Sequence, residues 1–420
     1  MPINGNKAVE STVLNNLSVL YLHTGDRDKA VELFEKALPL IRENGNKKSE
    51  AAALNNLANL NIILGQPEMA LVHFTQALTI QQIIGNQHGI AAILSNIGLV
   101  HIYMGELDKA LTRFEQSQYM MRVLGDKNGV AEAFNNLANA YSHKGQFNKA
   151  QEYREKARRI FREVENRSGE ACAINNMALG YHSVGQYDKA LELYEEALLI
   201  WRKINDLPNE ATTLNNIAEI INNSGQQVKA LKLFEDALSI LQKVGDRVGS
   251  AETINNIAGI YRETGRPEKA LEFYEKSLQI MREAKNQRGE AAVLNNMASM
   301  YSSIIQHEKA LELYEQALSI LHLIGERVSE ATTLHNMGDT FCLINKPEKG
   351  LDYFLRASQI QHAVEDHSGE AATLVKLGIL YYSVFYITQE AIDCLERALA
   401  IMQTSKITEN KSGMSSYDVQ

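Results

Sequence analysis

The sequence has little cysteine and little proline. Its 420 residues include three cysteines and six prolines. Cys172, Cys342 and Cys394 lie far apart, are odd in number and have no metal-type spacing such as C-x-x-C. This pattern favours free thiols in a reducing compartment over a disulfide framework or a zinc site. The scarcity of proline leaves long helices uninterrupted.

An excess of positive charge and a long apolar run are also missing. The 42 basic and 51 acidic residues give a net charge of −9, which offers no general attraction to nucleic acid or anionic membranes. The N-terminal stretch MPINGNKAVES lacks the apolar segment of a secretory signal. The most apolar stretch, Leu374 to Ile387, contains Lys376 and is shorter than the roughly 20 residues of a membrane span. We therefore expect a cytoplasmic protein that binds neither nucleic acid nor membranes.

Catalytic signatures are missing as well. The sequence contains no H-E-x-x-H, G-x-S-x-G, P-loop or G-x-G-x-x-G motif. Its eleven histidines are only loosely clustered. Carboxylates such as Glu192, Glu195 and Glu196 fit the solvated face of a helix. We predict a protein without catalytic residues, cofactor or metal ion.

What the sequence does contain is a repeat with a step of 40 residues. In the first unit, Leu14, Leu17, Ser18 and Tyr21 follow the i, i+3, i+4, i+7 spacing of an amphipathic helix. The Ser18 site is Ala or Gly in every later unit, and Gly25 breaks the helix. A second helix carries Ala30, Val31, Phe34, Ala37, Leu38 and Ile41 on one face, before a stop at Gly45. Strand signals are missing, so each unit is predicted to be a helical hairpin that needs neighbours to cover its apolar face.

The 40-residue step divides almost the whole chain into ten predicted repeats. Their approximate bounds are 8–47, 48–87, 88–127, 128–167, 168–207, 208–247, 248–287, 288–327, 328–367 and 368–403, the last with one inserted residue. We predict one solenoid domain over 1–403 and a disordered tail over 404–420.

The order L-x-x-L-A-x-x-Y, then G, then A-x-x-x-F-x-x-A resembles the tetratricopeptide repeat, with leucine where that family often has tryptophan. The 40-residue step and the element N-N-L/I-A are most similar to kinesin light chains, spindle-orientation adaptors and bacterial multi-repeat signalling proteins. The resemblance implies an all-α, right-handed superhelical solenoid whose first helices line a concave groove. It also implies an adaptor that binds partners rather than a catalyst.

Two adjacent rows of asparagine recur on the first helices, at the sites of residues 15 and 16 in the first unit, here called position 15 and position 16. Position 16 is Asn in nine of ten units, with Lys376 the exception, and position 15 is Asn in seven, with Ser95, His335 and Val375 the departures. At 100° per residue both rows lie away from the apolar face. The predicted peptide-binding asparagines are Asn15, Asn16, Asn55, Asn56, Asn96, Asn135, Asn136, Asn175, Asn176, Asn215, Asn216, Asn255, Asn256, Asn295 and Asn296.

The two rows permit different interpretations. Position 16 lies beside a second apolar site, Leu20, so it either forms an amide ladder between successive first helices or shares in binding. For position 15 we favour ligand contact, because an amide matches both the C=O and the N–H groups of an extended peptide. In the relatives that the sequence resembles, groove asparagines hold partner backbones in this way.

The remaining groove sites vary along the chain. Ile62 and Ile102 belong to an apolar group in repeats one to three, for which packing against neighbouring helices is the alternative. Glu219, Glu252 and Arg262 belong to a charged, mainly acidic group in repeats five to seven, for which a solvated face is the alternative. The pattern predicts a ligand with aliphatic residues at one end and Lys or Arg at the other.

These features predict a non-catalytic scaffold that binds an extended peptide or a partner's helix in the concave groove. The alternative is a sensor or regulatory arm of a signalling protein that controls a separate or fused effector domain.

Two irregularities stand out. Arg154 occupies a site that is Phe or Tyr in most units, which predicts either a packing defect, with the guanidinium reaching water or a carboxylate, or a basic patch for a partner. The last repeat carries Val375, Ile379, Tyr382 and Phe385 where a terminal repeat should be polar outside. It is therefore expected to mediate self-association or docking.

Overall fold

The computed structural model describes residues 3–23 and 27–414, and within this part of the chain it contains only helices and turns. The predicted helix break at Gly25 lies outside the described residues. The helices are α1 (Ile3–His23), α2 (Arg27–Glu43), α3 (Lys47–Ile63), α4 (Pro67–Ile83), α5 (Gln87–Tyr103), α6 (Leu107–Val123), α7 (Lys127–His143), α8 (Phe147–Glu163), α9 (Arg167–Ser183), α10 (Tyr187–Ile204), α11 (Leu207–Asn223), α12 (Gln227–Val244), α13 (Arg247–Glu263), α14 (Pro267–Glu283), α15 (Gln287–Ser303), α16 (His307–Ile324), α17 (Arg327–Leu343), α18 (Pro347–Ala363), α19 (His367–Ser383) and α20 (Thr388–Met414).

Odd-numbered helices are the first helices of the repeats and even-numbered helices are the second. The helices form two compact units, one ending at Ile204 with α10 and one beginning at Asn205 with α11. The predicted all-α fold of helical hairpins is confirmed. Helix α20 continues to Met414, past the predicted end of the last repeat near residue 403, and residues 415–420 lie outside the described part of the chain. The predicted repeat bounds and the disordered tail stay predictions.

Turns with a left-handed residue separate the helices. Gly65 has φ of +72° and Gly85 has φ of +70°, a region that glycine enters without steric cost. Ile305 occupies the same turn position as Gly65 with φ of +65°, and Asn345 does so with φ of +58°. In the last repeat the left-handed residue is Tyr386 at φ of +58°, not Phe385, because the inserted residue shifts the turn by one place.

Asparagine or aspartate side chains cap most of the first helices, a feature that the sequence analysis missed. Asn46 accepts a hydrogen bond from the Ser49 backbone N–H at 3.2 Å, and Asn166 accepts one from Gly169 N–H at 2.9 Å. Each cap satisfies a backbone donor that lacks a partner within the helix. The turn and the cap together fix where each first helix begins.

Within each unit, the core lies between the two helices of a hairpin and the first helix of the following repeat. Ala30, Phe34 and Ala37 of α2 are buried, and the same positions are buried in repeats two to nine. Gly98 of α5 occupies the Ser18 site, where a Cβ atom would lie 2.5 Å from Cε1 of Phe114. The small residue predicted at this site therefore makes room for the aromatic ring of the second helix.

Buried glutamates at the start of several first helices join neighbouring repeats. Oε1 of Glu170 accepts from Nε of Arg162 at 2.6 Å, and its Oε2 accepts from Nη1 of Arg167 at 2.8 Å. Burial alone would raise the pKa of Glu170, but the hydrogen bonds from Arg162 and Arg167 outweigh burial and hold the pKa below its usual value. The carboxylate is therefore ionised and bonded across the repeat boundary.

The core of repeat four contains a buried guanidinium. Arg154 is 5% exposed, and its Nη2 donates to the Ser142 hydroxyl at 2.8 Å. Its Nη1 lies 3.4 Å from Oε1 of Gln151, and burial lowers the pKa of Arg154 to about 10. Gly180 provides the space, since a Cβ atom there would lie 2.7 Å from Nη1. The expectation that the guanidinium reaches water or a carboxylate is wrong, because the side chain turns inward to neutral partners.

Candidate functional site

The first helices carry one exposed stripe that repeats along the chain. In α11 it contains Thr212, Asn216, Glu219 and Asn223, of which Asn216 is half-buried and the others are exposed. The intervals of four, three and four residues place these side chains on one face of a helix. Position 16 therefore belongs to the exposed stripe, and its side chain is half-buried in most repeats.

Position 15 lies at the edge of this stripe and faces the next repeat. Its asparagines are half-buried, and in three places the oxygen accepts a hydrogen bond from the position-16 amide that follows 41 residues later. The Nδ2 to Oδ1 distances are 2.9 Å for Asn96 to Asn55, 3.0 Å for Asn296 to Asn255, and 3.5 Å for Asn336 to Asn295. The amides therefore link the first helices of successive repeats.

Other position-15 side chains use a threonine of the next repeat instead. Nδ2 of Asn215 donates to Oγ1 of Thr253 at 2.8 Å, and Nδ1 of His335 lies 2.8 Å from Oγ1 of Thr373. In the described part of the chain, the Oδ1 atoms of Asn15, Asn135 and Asn215 are buried without a hydrogen-bond partner. These oxygens are closed to a ligand unless the side chain rotates.

The other predicted residues are either exposed or half-buried. Asn16, Asn256 and Glu219 are exposed, whereas Asn56, Asn136, Asn175, Asn176, Asn216 and Arg262 are half-buried. The Asn176 amide donates to Sγ of Cys172 at 3.8 Å, and Nη2 of Arg262 lies 4.0 Å from Oε1 of Glu263. Ile62 and Ile102 are half-buried and pack against the cores around Phe74 and Phe114. The apolar group therefore contributes to packing at these two positions.

Four of the predicted residues meet in one cleft of the second unit. It lies between α11 and α13 beside the end of α12, and its volume is about 310 Å³. Asn215, Asn216, Glu252 and Asn256 line it together with Thr212, Leu241, Asp246, Val248 and Gly249. The cleft thus combines two carboxylates with three side-chain amides.

The carboxylates make the cleft suitable for a cation. Burial raises the pKa of Glu252, the nearby charge of Asp246 raises it further, and Arg288 partly opposes both. Asp246 caps α13 by accepting from the Gly249 backbone N–H at 2.9 Å. A positive charge placed in the cleft would favour the ionised form of Glu252. The amides of Asn216 and Asn256 offer donors and acceptors for a peptide backbone beside that charge.

Asp246 and Leu241 were not among the residues predicted from the sequence. Asp246 stands three residues before Gly249, the same spacing as the other Asn and Asp caps, so cap spacing was the available signal. Leu241 comes from the second helix, which the sequence analysis assigned to the core alone. A related pair joins repeats three and four, because burial and the charge of Asp126 raise the pKa of Glu132.

Comparison with known proteins identifies the family. The family model for the tetratricopeptide repeat matches residues 9–83, 89–163, 169–243, 249–321 and 329–404. The chain therefore belongs to the tetratricopeptide repeat family, as the sequence predicted. No curated protein matches this sequence.

Several solved structures have a similar fold. A Rap protein complexed with Competence and Sporulation Factor is 16% identical, with a TM-score of 0.57 over 85% of this chain and 99% of that chain. The apo form of the quorum sensor NprR from B. thuringiensis is 14% identical, with a TM-score of 0.55 over 84% of this chain and 99% of that chain. A signal transduction ATPase with a tetratricopeptide repeat sensor from Pyrococcus horikoshii is 15% identical, with a TM-score of 0.53 over 86% of this chain and 55% of that chain.

Two features of the described residues bear on other functions. Among these residues, no three His, Cys, Asp or Glu side chains are placed to hold a metal ion. No helix in the described part of the chain has an apolar stretch long enough to cross a membrane.

Proposed function

We propose that this protein is a non-catalytic, cytoplasmic scaffold that binds an extended peptide segment of a partner protein along the exposed stripe of its first helices. The observation that supports this proposal is the cleft between α11 and α13. There the stripe residues Asn216, Glu252 and Asn256 lie around a volume of about 310 Å³, large enough for one long side chain.

The two asparagine rows have different tasks in this proposal. The position-16 amides contact the backbone of the peptide, because they lie on the exposed stripe. The position-15 amides support them from the neighbouring repeat, as Asn255 does for Asn296 through a bond of 3.0 Å. The sequence favoured position 15 for ligand contact, and we now assign to it the role of holding position 16 in place.

A Lys or Arg of the peptide enters the cleft. Glu252 supplies the charge that pairs with it, and Asp246 adds to the negative potential from the start of α13. A charge-assisted hydrogen bond is stronger than a neutral one. The cleft therefore favours basic side chains over aliphatic or acidic ones.

The fold is compatible with such binding. The Rap protein that shares it was solved complexed with Competence and Sporulation Factor. That similarity supports the fold of this chain, and the assignment of a peptide to the groove rests on the cleft.

Selection from a random peptide library displayed on phage tests the proposal. We expect the wild-type protein to enrich peptides that contain Lys or Arg, and we expect Glu252→Gln to reduce this enrichment. Glu235→Gln, which changes an exposed carboxylate of α12, is the matched control and should select the same peptides as wild type. No enrichment by wild type, or equal enrichment of basic peptides by Glu252→Gln, would contradict the proposal.

A sensor arm is the second candidate function. It is favoured by the similar fold of the repeat sensor in the signal transduction ATPase from Pyrococcus horikoshii. In this case the peptide bound in the cleft would regulate an effector domain. If so, a protein that co-purifies with the wild-type chain should change its catalytic rate when a selected peptide is added, and an unchanged rate would count against this candidate.

A further inference from the structure

The first helix exposes an apolar stripe that lies apart from the groove. Val9, Val13, Leu17 and Leu20 of α1 are between 38% and 63% exposed. Their intervals of four, four and three residues place them on one face of the helix. At the equivalent sites of α5, Ile93, Ile97 and Val100 are buried.

The last helix exposes a second apolar stripe. Ile392, Leu395, Leu399 and Met402 of α20 are between 42% and 55% exposed. Because the last repeat has one inserted residue, Leu395 and Met402 correspond to Phe354 and Gln361 of α18, which are both buried.

These two stripes correspond to the two halves of an interface that recurs inside the chain. Between α14 and α15, the core contains Tyr274, Leu278 and Met281 from the second helix. It also contains Val293, Met297 and Met300 from the first helix of the next repeat. These residues are the equivalents of Leu395, Leu399 and Met402 on α20 and of Val13, Leu17 and Leu20 on α1. Helices α1 and α20 thus present matching surfaces to solvent.

We propose that a second copy of this chain covers these surfaces, with α1 of one copy packing against α20 of another. The contact is head to tail, because different surfaces of the two copies meet. The interface between α14 and α15 already packs apolar residues at the same spacing as the stripes on α20 and α1. A second copy of the chain therefore fits these surfaces better than an unrelated partner. The proposal goes beyond peptide binding, since neither stripe belongs to the groove.

Polar residues at the margin of the two stripes agree with this arrangement. Glu10 of α1 is exposed and stands at the site of Glu370, whose carboxylate lies 3.2 Å from Nδ1 of His362. On α20 the site of His362 is Gln403, which is also exposed. The amide of Gln403 is able to donate to Glu10 in the position that His362 takes inside the chain.

Sedimentation velocity over a range of concentrations tests the proposal with two variants, each blocked at one end. One variant carries Val13→Glu with Leu20→Glu, and the other carries Leu399→Glu with Met402→Glu. We expect wild type to form larger species as concentration rises and each variant alone to stay monomeric. An equimolar mixture of the two variants should form a dimer, because each still has one open surface that the other variant can cover.

Val228→Glu is the matched control, since Val228 is an exposed aliphatic residue on α12 outside both stripes. Circular dichroism checks folding, and Leu20→Ser and Leu399→Ser replace any glutamate variant that fails to fold. A monomeric wild type at every concentration would overturn the proposal. Self-association of either variant alone would also overturn it, because it would indicate contact between identical surfaces. Loss of association in the Val228→Glu control would overturn it as well.

Discussion

Asparagine at positions 15 and 16 shows what a single side chain contributes to this protein. Both positions point away from the apolar face of the first helix, so the helical pattern alone makes them equivalent. The next repeat distinguishes them, because Asn96 and Asn296 donate across the boundary to Asn55 and Asn255. The sequence predicted the two rows, and it could not show which row is covered, because the covering helix lies 40 residues further along the chain.

Arg154 leads to a prediction about stability. Arg154→Phe should stabilise the protein by about 1 kcal/mol, because an aromatic ring gains from burial at a site where the guanidinium loses its hydration. The change in melting temperature measures this effect. Arg158→Leu is the control, since Arg158 keeps an ion pair with Glu196 at 2.6 Å and its loss should have little benefit. A lower melting temperature for Arg154→Phe would show that the contacts to Ser142 and Gln151 stabilise the fold.

Glu252 leads to a prediction about pH. Because its pKa is raised by folding, mainly through burial, its ionisation costs the folded state free energy. Its contribution to stability is therefore present below the pKa of the unfolded chain and falls as the pH rises through the folded pKa. Glu252→Gln should raise the melting temperature at neutral pH, and the difference from wild type should shrink below about pH 4.

Glu252→Gln should also weaken the binding of a basic peptide. A higher melting temperature together with weaker binding would separate the role of Glu252 in function from its effect on stability. Glu219→Gln, on the same exposed stripe in α11, should leave the melting temperature unchanged. A lower melting temperature for Glu252→Gln at neutral pH would contradict this account of the cleft.

At the scale of the helices, the turns and caps explain the regular bounds. The glycines at the turns were readable from the sequence because their spacing is constant. The left-handed conformation of Ile305 could not be predicted from the sequence, since isoleucine rarely adopts a positive φ. Ile305 adopts this conformation because α15 and α16 on either side of the turn pack as the two helices of the other hairpins do.

Ile305→Gly should therefore stabilise repeat eight. A β-branched residue with φ of +65° is strained by roughly 1–2 kcal/mol, and the side chain of Ile305 is exposed and loses little burial when removed. The midpoint of chemical denaturation measures the gain. Asn345→Gly is the matched control at φ of +58°, where asparagine is tolerated and the gain should be much smaller. Equal gains for both variants would show that Ile305 carries no special strain.

The buried glutamate at the start of α9 makes a helix boundary sensitive to acid. Because the folded pKa of Glu170 is lowered, its stabilising contribution is present above the unfolded pKa and is lost as the pH falls through the folded value. Glu170→Gln should lower the melting temperature at neutral pH, and the difference from wild type should vanish in acid.

Glu152→Gln serves as the comparison for Glu170, because Glu152 forms an exposed i, i+4 pair with Lys156 and should contribute little. If the melting temperatures of Glu170→Gln and wild type differ by the same amount down to low pH, the ion pairs with Arg162 and Arg167 are not the source of the difference.

At the scale of the whole chain, the 40-residue step determines most of what can be predicted from the sequence. The step predicted the family, the helical hairpins and the order of the helices, because each repeat has the same apolar face and the same turn. It did not give the cleft, since Thr212 and Asn216 come from one repeat while Glu252 and Asn256 come from the next. Their distance depends on how two successive first helices pack, which no pattern within one helix reports.

The measurement that tests the central claim most directly is calorimetric titration of a selected basic peptide into three proteins. These are the wild type, a position-16 variant with Asn216→Ala and Asn256→Ala, and a position-15 variant with Asn255→Ala. Each neutral hydrogen bond contributes about 0.5–1.5 kcal/mol, so the position-16 variant should bind roughly tenfold more weakly or worse while its melting temperature stays close to wild type. The position-15 variant should lose melting temperature, because Asn296 loses its acceptor. Unchanged affinity in the position-16 variant, with the peptide still bound by wild type, would contradict the assignment of the exposed stripe as the peptide-binding surface.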